Sequence, residues 1–232
     1  MAYYADNSNL EKNETQQAEF DAKMNEFNAT EVELNKQFSL EHVNTLVGTY
    51  VFTSTFFGMS IDTKTEIVSK MDKKTLAIPR IKEIVENIEI ERNTSVGSIY
   101  TDIKLSKPDG ATLALSELVG KSDFVLVDFW ASWCGPCIRS LPELKELYNS
   151  TDRKKLEILG VSLDNDKEAW LACIEKHELI WPHISDVQGW KSAGAKLYAV
   201  SSIPATVLID KQGVIVGRNL SKKEIEKILA GN

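Results

Sequence analysis

One stretch constrains this chain more than any other: Val125-Leu-Val-Asp-Phe-Trp-Ala-Ser-Trp-Cys134-Gly-Pro-Cys137, an apolar run that delivers two cysteines onto the first turn of a helix. The run from Phe124 to Trp130 is interrupted only by Asp128, which reads as a strand buried on both faces within a sheet that carries helices on each side. Two intervening residues keep the sulfurs of Cys134 and Cys137 within reach of each other. Thiol–disulfide exchange needs that spacing, because one thiolate attacks and a second thiol must resolve the mixed disulfide. Pro136 suits a first helical turn, where its missing N–H costs nothing, and the unpaired N–H groups there stabilise a thiolate on Cys134. Cys134 is therefore expected to be acidic, partly exposed and nucleophilic, with Cys137 shielded one turn in.

The segment Asp128-Phe-Trp-Ala-Ser-Trp-Cys-Gly-Pro-Cys resembles the thioredoxin superfamily. Ser95 to Asn232 is similar to the bacterial secreted or membrane-tethered thioredoxin-like oxidoreductases of the TlpA/ResA and AhpC/TSA-redoxin type. Asp109-Gly110, the cysteine motif, Gly160-Val-Ser-Leu-Asp164, Ser202-Ile-Pro204, Leu208-Ile-Asp210 and Gly213 appear in the family's order. The resemblance implies an α/β thioredoxin-like fold, a mixed central sheet flanked by helices, and a thiol–disulfide oxidoreductase acting on protein disulfide substrates. It implies an upstream thiol electron donor and no cofactor beyond a redox-active Cys134–Cys137 disulfide. It also implies a location in the periplasm or outer cell envelope. There the relatives work behind a signal or lipid anchor missing from this chain, so Met1-Ala2 reads as a truncated start.

The same resemblance assigns roles. Asp128 matches the family's buried carboxylate, which makes it the expected general base for Cys137. Pro204 occupies the place of the family's cis-proline beside the active site, leaving the Ile203 backbone free to pair with an extended substrate segment. Trp133, Gly135 and Pro136 form the substrate-facing rim around Cys134, whereas Trp130 belongs to the core. One departure matters: many relatives carry a glutamate three residues after the second cysteine, where this chain has Ser140 ahead of Leu141-Pro142. That weakens a specialised cytochrome-maturation role. Gly-Pro between the cysteines resembles general thioredoxins, which at about −270 mV are reductants, rather than oxidants near −120 mV, so a reductase is the expected direction.

Physical chemistry supplies a parallel reading of Asp128. Burying an unpaired carboxylate is costly, so its pKa should rise until it is partly neutral near pH 7. A hydrogen-bonded structural carboxyl is the blander alternative. Three other functions compete with disulfide exchange. Cys173 and His177, four apart on one helical face, complete a C-x2-C…C-x3-H pattern for a zinc-bound module, although Cys173 reads better as a small buried hydrophobe and His177 as a solvated residue at a helix end. A thiol peroxidase of the peroxiredoxin type needs a threonine where this chain has Ala131. A non-catalytic interaction module would need neither cysteine.

The rest of the chain reads as two parts, a helical segment over residues 1–94 and the redox domain over 95–232. All three cysteines and all five tryptophans lie after residue 129. Residues 1–98 hold 10 basic and 16 acidic side chains against 17 and 18 in the remainder, so most of the net charge of −7 lies outside the catalytic half. That balance argues against nucleic acid or an anionic membrane as a partner. No apolar run approaches the roughly 18 residues of a spanning helix, and the chain as given reads as soluble.

In the first part, Leu10 to Phe38 carries an apolar stripe at Phe20, Met24, Phe27, Leu34 and Phe38, and predicts an amphipathic helix. Val43 to Phe57 is assigned to a helix ending at Gly58, Asp62 is expected to cap a helix through Met71, and Leu76 to Ile90 forms another with Ile81, Ile84, Val85 and Ile88 inward. Together they read as a helical cover or spacer, with a docking surface as the alternative. The second part predicts the order β-β-α-β-α-β-β-α. A hairpin (Ile99–Leu105, Ala111–Leu115) precedes the strand Phe124–Trp130 and a helix kinked at Pro142. A parallel strand Leu156–Leu163 follows, then a helix capped by Asp166 and a short helix within Gln188–Tyr198. A hairpin over Ala205–Gly217 and a helix opened by the capping box Ser221-Lys-Lys-Glu224 close the chain.

Overall fold

The computed structural model describes residues 14–231, and the chain divides into two compact units, one ending at Val85 and the other beginning at Glu86. The first unit holds α1 (Glu14–Glu41), α2 (Leu46–Thr55), a 3-10 turn over Phe56–Gly58, α3 (Ile61–Ser69) and α4 (Lys73–Leu76). The division falls inside α5 (Pro79–Asn93). Residues 10–13 of the expected first helix lie outside the described residues. Thr45 opens α2, its Oγ1 accepting the Gly48 N–H at 3.1 Å, so the β-branched run forms a helix, though it starts three residues later than Val43 and its α-helical part ends at Thr55, with the 3-10 turn closing at Gly58.

Three details of this unit differ from the sequence reading. Ser60, not Asp62, caps α3, its Oγ accepting the Thr63 N–H at 3.2 Å. Asp62 falls in the first turn, where its charge still favours the N-terminal end. The run from Leu76 to Ile90 is split, because Pro79 disfavours helical backbone at Ile78 and starts α5 afresh. On α1 the predicted stripe is not the packed face: Met24, Phe27, Leu34 and Phe38 remain exposed, while the positions withdrawn from solvent are Val32, Asn35, Lys36, Ser39 and Leu40. The unit's own buried apolar residues, among those described, are Phe52, Phe56, Met59, Ile67, Met71, Ile81 and Ile84.

In the second unit, β1 (Lys104–Ser106) and β2 (Thr112–Ala114) pair antiparallel. Gly110 turns the chain between them at φ +86°, a left-handed conformation that glycine adopts without strain. This hairpin is shorter than predicted. Residues 97–100 instead lie along the end of the closing hairpin, with the Gly97 N–H donating to the Ile215 carbonyl and the Tyr100 N–H to that of Gly213, each at 2.8 Å. Then follow β3 (Phe124–Trp130), α6 (Gly135–Ser150), β4 (Leu156–Ser162), α7 (Lys167–Lys176), β5 (His183–Ile184), α8 (Ala193–Leu197), β6 (Ala205–Asp210), β7 (Ile215–Arg218) and α9 (Lys222–Ala230).

These strands form one five-stranded sheet in the order β5-β4-β3-β6-β7. β4 runs parallel to β3 and to β5, whereas β6 is antiparallel to both β3 and β7. β3 lies in the middle, hydrogen-bonded on both edges, and all seven of its residues are buried. That explains its nearly unbroken apolar run. The predicted caps of α7 and α9 are present: Asp166 accepts the Ala169 N–H at 3.0 Å, and Ser221 and Glu224 cap each other reciprocally. α6 continues through Pro142 without interruption. β5 went unforeseen, since two residues cannot display a period.

Candidate active site

The end of β3 passes through Ala131–Trp133 into α6, and Cys134 is the cap of that helix. Cys134 and Cys137 are joined in a disulfide, their Cα atoms 5.2 Å apart. The Cys137 N–H points at Cys134 Sγ at 3.2 Å, so the free N–H end of α6 is aimed at this sulfur and favours negative charge there once the bond is reduced. On its other side Cys134 Sγ lies 3.7 Å from the carbonyl oxygen of Ile203. The Ile203–Pro204 peptide is cis. The structure thus brings Cys134, Cys137, Ile203 and Pro204 together, with Gly135 and Pro136 exposed on the first turn of α6 and Trp133 half in solvent.

One expectation fails here. Cys134 was to be partly exposed, yet in the disulfide it is 4% exposed against 1% for Cys137. Its sulfur is covered by the bond to Cys137 and by the Ile203 loop, so only the order of exposure survives.

Asp128 is buried in β3, and among the described residues its carboxyl has no hydrogen-bond partner. Desolvation pushes its pKa from an ordinary 3.8 up to about 7. The carboxyl opens onto a cavity of about 210 Å³, shared with Ser140 and Glu143 of α6, Pro204 and Thr206 beside the disulfide loop, and Lys222 of α9. The cavity is large enough for several waters, each of which takes about 30 Å³ in the liquid. Glu143, one helical turn beyond Ser140, lines the same space and brings a carboxylate-bearing side chain to it.

A residue noted in the sequence only as a landmark proves central to the geometry. Asp164, fully buried after β4, accepts the Ser132 N–H through both carboxylate oxygens at 3.1 and 3.2 Å, and the Ser132 hydroxyl at 2.5 Å. A further bond from the Ser162 hydroxyl at 2.7 Å fixes the carboxylate itself. Asp164 thereby holds the turn that delivers Cys134. No motif pointed to this role; a polar residue directly after a buried strand was the available signal.

The zinc pattern does not assemble. Cys173 packs in the core, where burial pushes its thiol pKa up, and His177 ends α7. Among the described residues no group of three His, Cys, Asp or Glu side chains is arranged to hold a metal ion.

Comparison with known proteins agrees with this geometry. Residues 96–218, just over half of the chain, match the AhpC/TSA family. The chain is 33% identical over 138 residues to the thiol-disulfide oxidoreductase ResA of Geobacillus kaustophilus, covering 58% of this chain and 76% of that protein. Among solved structures, a thiol-disulfide oxidoreductase from Bacteroides fragilis superposes with a TM-score of 0.53 at 31% identity, over 58% of this chain and 98% of that one. The thioredoxin domain of a thiol-disulfide oxidoreductase from Bacteroides vulgatus gives 0.53 at 29%, with the same coverage. With its disulfide at the start of α6 beside a cis-proline, the chain belongs to the AhpC/TSA family and is a thioredoxin-like thiol-disulfide oxidoreductase.

Proposed function

We propose that the protein reduces disulfides in protein substrates through Cys134 and Cys137. The carrying observation is the aim of the α6 N-terminus at Cys134 Sγ, which favours the thiolate on this sulfur and not on Cys137. In the reduced enzyme, Cys134 thiolate attacks one sulfur of the substrate disulfide, forming a Cys134–substrate bond and releasing the other sulfur as a thiolate. Cys137 then loses its proton and attacks Cys134 Sγ, which re-forms the enzyme disulfide and releases the second substrate thiolate. Two electrons pass from the dithiol to the substrate, and a thiol donor must return them. The redox carrier is the cysteine pair itself, so the balance requires no other cofactor.

Asp128 accepts the proton of Cys137 in this reading. A pKa of about 7 makes it able to gain and lose a proton near neutrality, and the cavity beside it leaves room for water to carry the proton onward. Ile203 and Pro204 present backbone to an extended substrate segment, with Trp133, Gly135 and Pro136 on the facing rim. The Gly-Pro dipeptide supports the reducing direction over the oxidising one. Disulfide-bearing substrates persist in oxidising compartments, which supports a site of action in the periplasm or outer cell envelope. No described helix is long and apolar enough to cross a membrane.

The test is insulin-disulfide reduction with single-cysteine variants. Cys134→Ser should abolish turnover, and Cys137→Ser should accumulate a mixed disulfide through Cys134. Asp128→Asn should slow decay of the mixed disulfide about tenfold or more while leaving its formation within about twofold, since general base catalysis is worth roughly 10² to 10⁴. Faster alkylation of Cys137 than of Cys134 at mildly acidic pH would reverse the assigned roles. A potential for the pair above about −150 mV would make the protein an oxidant.

A further inference from the structure

Trp133, next in the chain to Cys134, lines an open groove of about 680 Å³ together with Trp190, Val187 and the polar Asn165, Gln188 and Lys191. The two indoles pack against each other, their ring centroids 6.1 Å apart and their planes tilted by 54°, yet each remains about half exposed, at 51% for Trp133 and 48% for Trp190. Large aromatic surface left in water beside a reacting centre is an unfinished contact.

Backbone hydrogen bonds hold the tryptophan pair in place. Asp164 grips Ser132, the residue before Trp133, through its carboxylate, and its own carbonyl accepts the Gly189 N–H, the residue before Trp190, at 3.2 Å. One buried residue thus fixes both tryptophan-bearing turns. The loop carrying Trp190 is further pinned by Asp186, which accepts the Ala193 N–H at 2.7 Å, and by Ser185, which accepts the Val187 N–H at 3.0 Å. Val187 and Gly189 both take left-handed backbone, at φ +54° and +56°, which turns the loop so that Trp190 stands opposite Trp133.

We infer that this groove is a subsite for an aromatic side chain close to the attacked cysteine of a polypeptide substrate, with Trp190 as its specificity-determining residue. The inference rests on the disulfide-reductase reading. The groove begins at Trp133, next to the attacking Cys134, so whatever fills it is continuous with the substrate's own disulfide. A low-molecular-weight disulfide would leave the groove empty. An extended substrate lying over Ile203 has side chains alternating to both sides, and Ile203 lies against Cys134, the neighbour of Trp133, so one set of those side chains would face the tryptophan side. The exposed faces of the packed tryptophan pair suit an aromatic ring laid against them, and Lys191 at the rim disfavours a cationic neighbour.

The experiment uses two disulfide-bonded peptides identical except for Phe or Gln two residues from a cysteine, together with 2-hydroxyethyl disulfide as a probe of the dithiol alone. The parent should reduce all three, with kcat/KM for the Phe peptide about tenfold above that for the Gln peptide and the difference carried mainly by KM. In Trp190→Ala that ratio should fall to near one, while Trp190→Phe should retain most of it. A parent that reduces 2-hydroxyethyl disulfide but does not distinguish the peptides overturns the subsite alone. Retention of the tenfold ratio in Trp190→Ala overturns the role of Trp190. A parent that reduces none of the three overturns the reductase reading on which the subsite depends.

Discussion

Asp128 and His183 occupy one row of the sheet, Asp128 on β3 facing Gly160 on β4, and Gly160 facing His183 on β5. Paired residues on adjacent strands point to the same face, so the two groups share a side of the sheet and differ only in what surrounds them. At the β3 end a carboxyl opens onto a cavity. At the β5 end the imidazole is packed against Trp130 and Trp181, with ring centroids 5.4 and 5.7 Å away, and among the described residues neither ring nitrogen has a hydrogen-bond partner. Burial neutralises both, raising Asp128 to about 7 and lowering His183 to about 3. Neutralisation alone therefore does not make a group useful. A proton must also be able to arrive and leave, and only the β3 end has the space for water.

The largest expected effect is on the pH dependence of stability, where the two ends oppose each other. Between about pH 4 and 7 the unfolded chain has released the Asp128 proton that the folded chain keeps, so this group alone makes stability fall as pH rises, by up to about 4 kcal/mol. His183 works in reverse. Below about pH 6.5 the unfolded chain gains a proton that the folded chain refuses until about pH 3, so stability falls as pH falls, by an amount of similar order. In the parent these slopes largely offset between about pH 4 and 6.5. Asp128→Asn removes the first, so urea unfolding of this variant should show stability rising with pH by several kcal/mol from pH 4 to 7, and a gain over the parent above pH 7. Parallel profiles for parent and variant would mean that Asp128 is not held neutral by burial.

The next effect tests the packed end. A Cβ on Gly160 would fall 2.3 Å from His183 Nδ1 and 3.0 Å from Trp130 Nε1, so Gly160 is small because the imidazole lies across it. Gly160→Ala should cost about 3 kcal/mol, the upper range for overpacking a well-filled core, and lower Tm by roughly 6–12 °C. A loss below about 1 kcal/mol would show the β5 end to be looser than its geometry indicates.

The smallest effect on stability makes the cavity end resemble the packed one. Thr206 faces Asp128 across β3 and β6 and lines the cavity, and its backbone N–H, not its hydroxyl, bonds Asn219. Thr206→Ile should change stability by no more than about 1 kcal/mol in a strand that favours β-branched residues. On the proposed role of Asp128 it should nevertheless slow mixed-disulfide decay several-fold, because the added methyl groups would fill space through which water could relay the proton. Unchanged decay in single-turnover measurements would separate the cavity from proton transfer.

The elements legible in the sequence were those whose signal is local. β3 announced itself because a central strand needs apolar residues on both faces. Asp166, Ser221 and Glu224 announced helix starts because a cap and its capping-box partner bond only backbone three residues on or three residues back. Cys134 and Cys137 could be paired from spacing alone, and Asp128 stood out as the one charge in an apolar run. The face of α1 that packs was not legible, because an exposed apolar stripe and a buried one have the same period and only the neighbouring helices choose between them. The same limit hid β5, the grip of Asp164 on Ser132, and the approach of Trp190 to Trp133, 57 positions away in the chain. Local chemistry determined which residues can react; the packing of strands and loops decided how exposed Cys134 is, which buried group has room for water, and which side chains stand beside the disulfide. Those properties depend on distances between residues remote in sequence, which no pattern of neighbours along the chain contains.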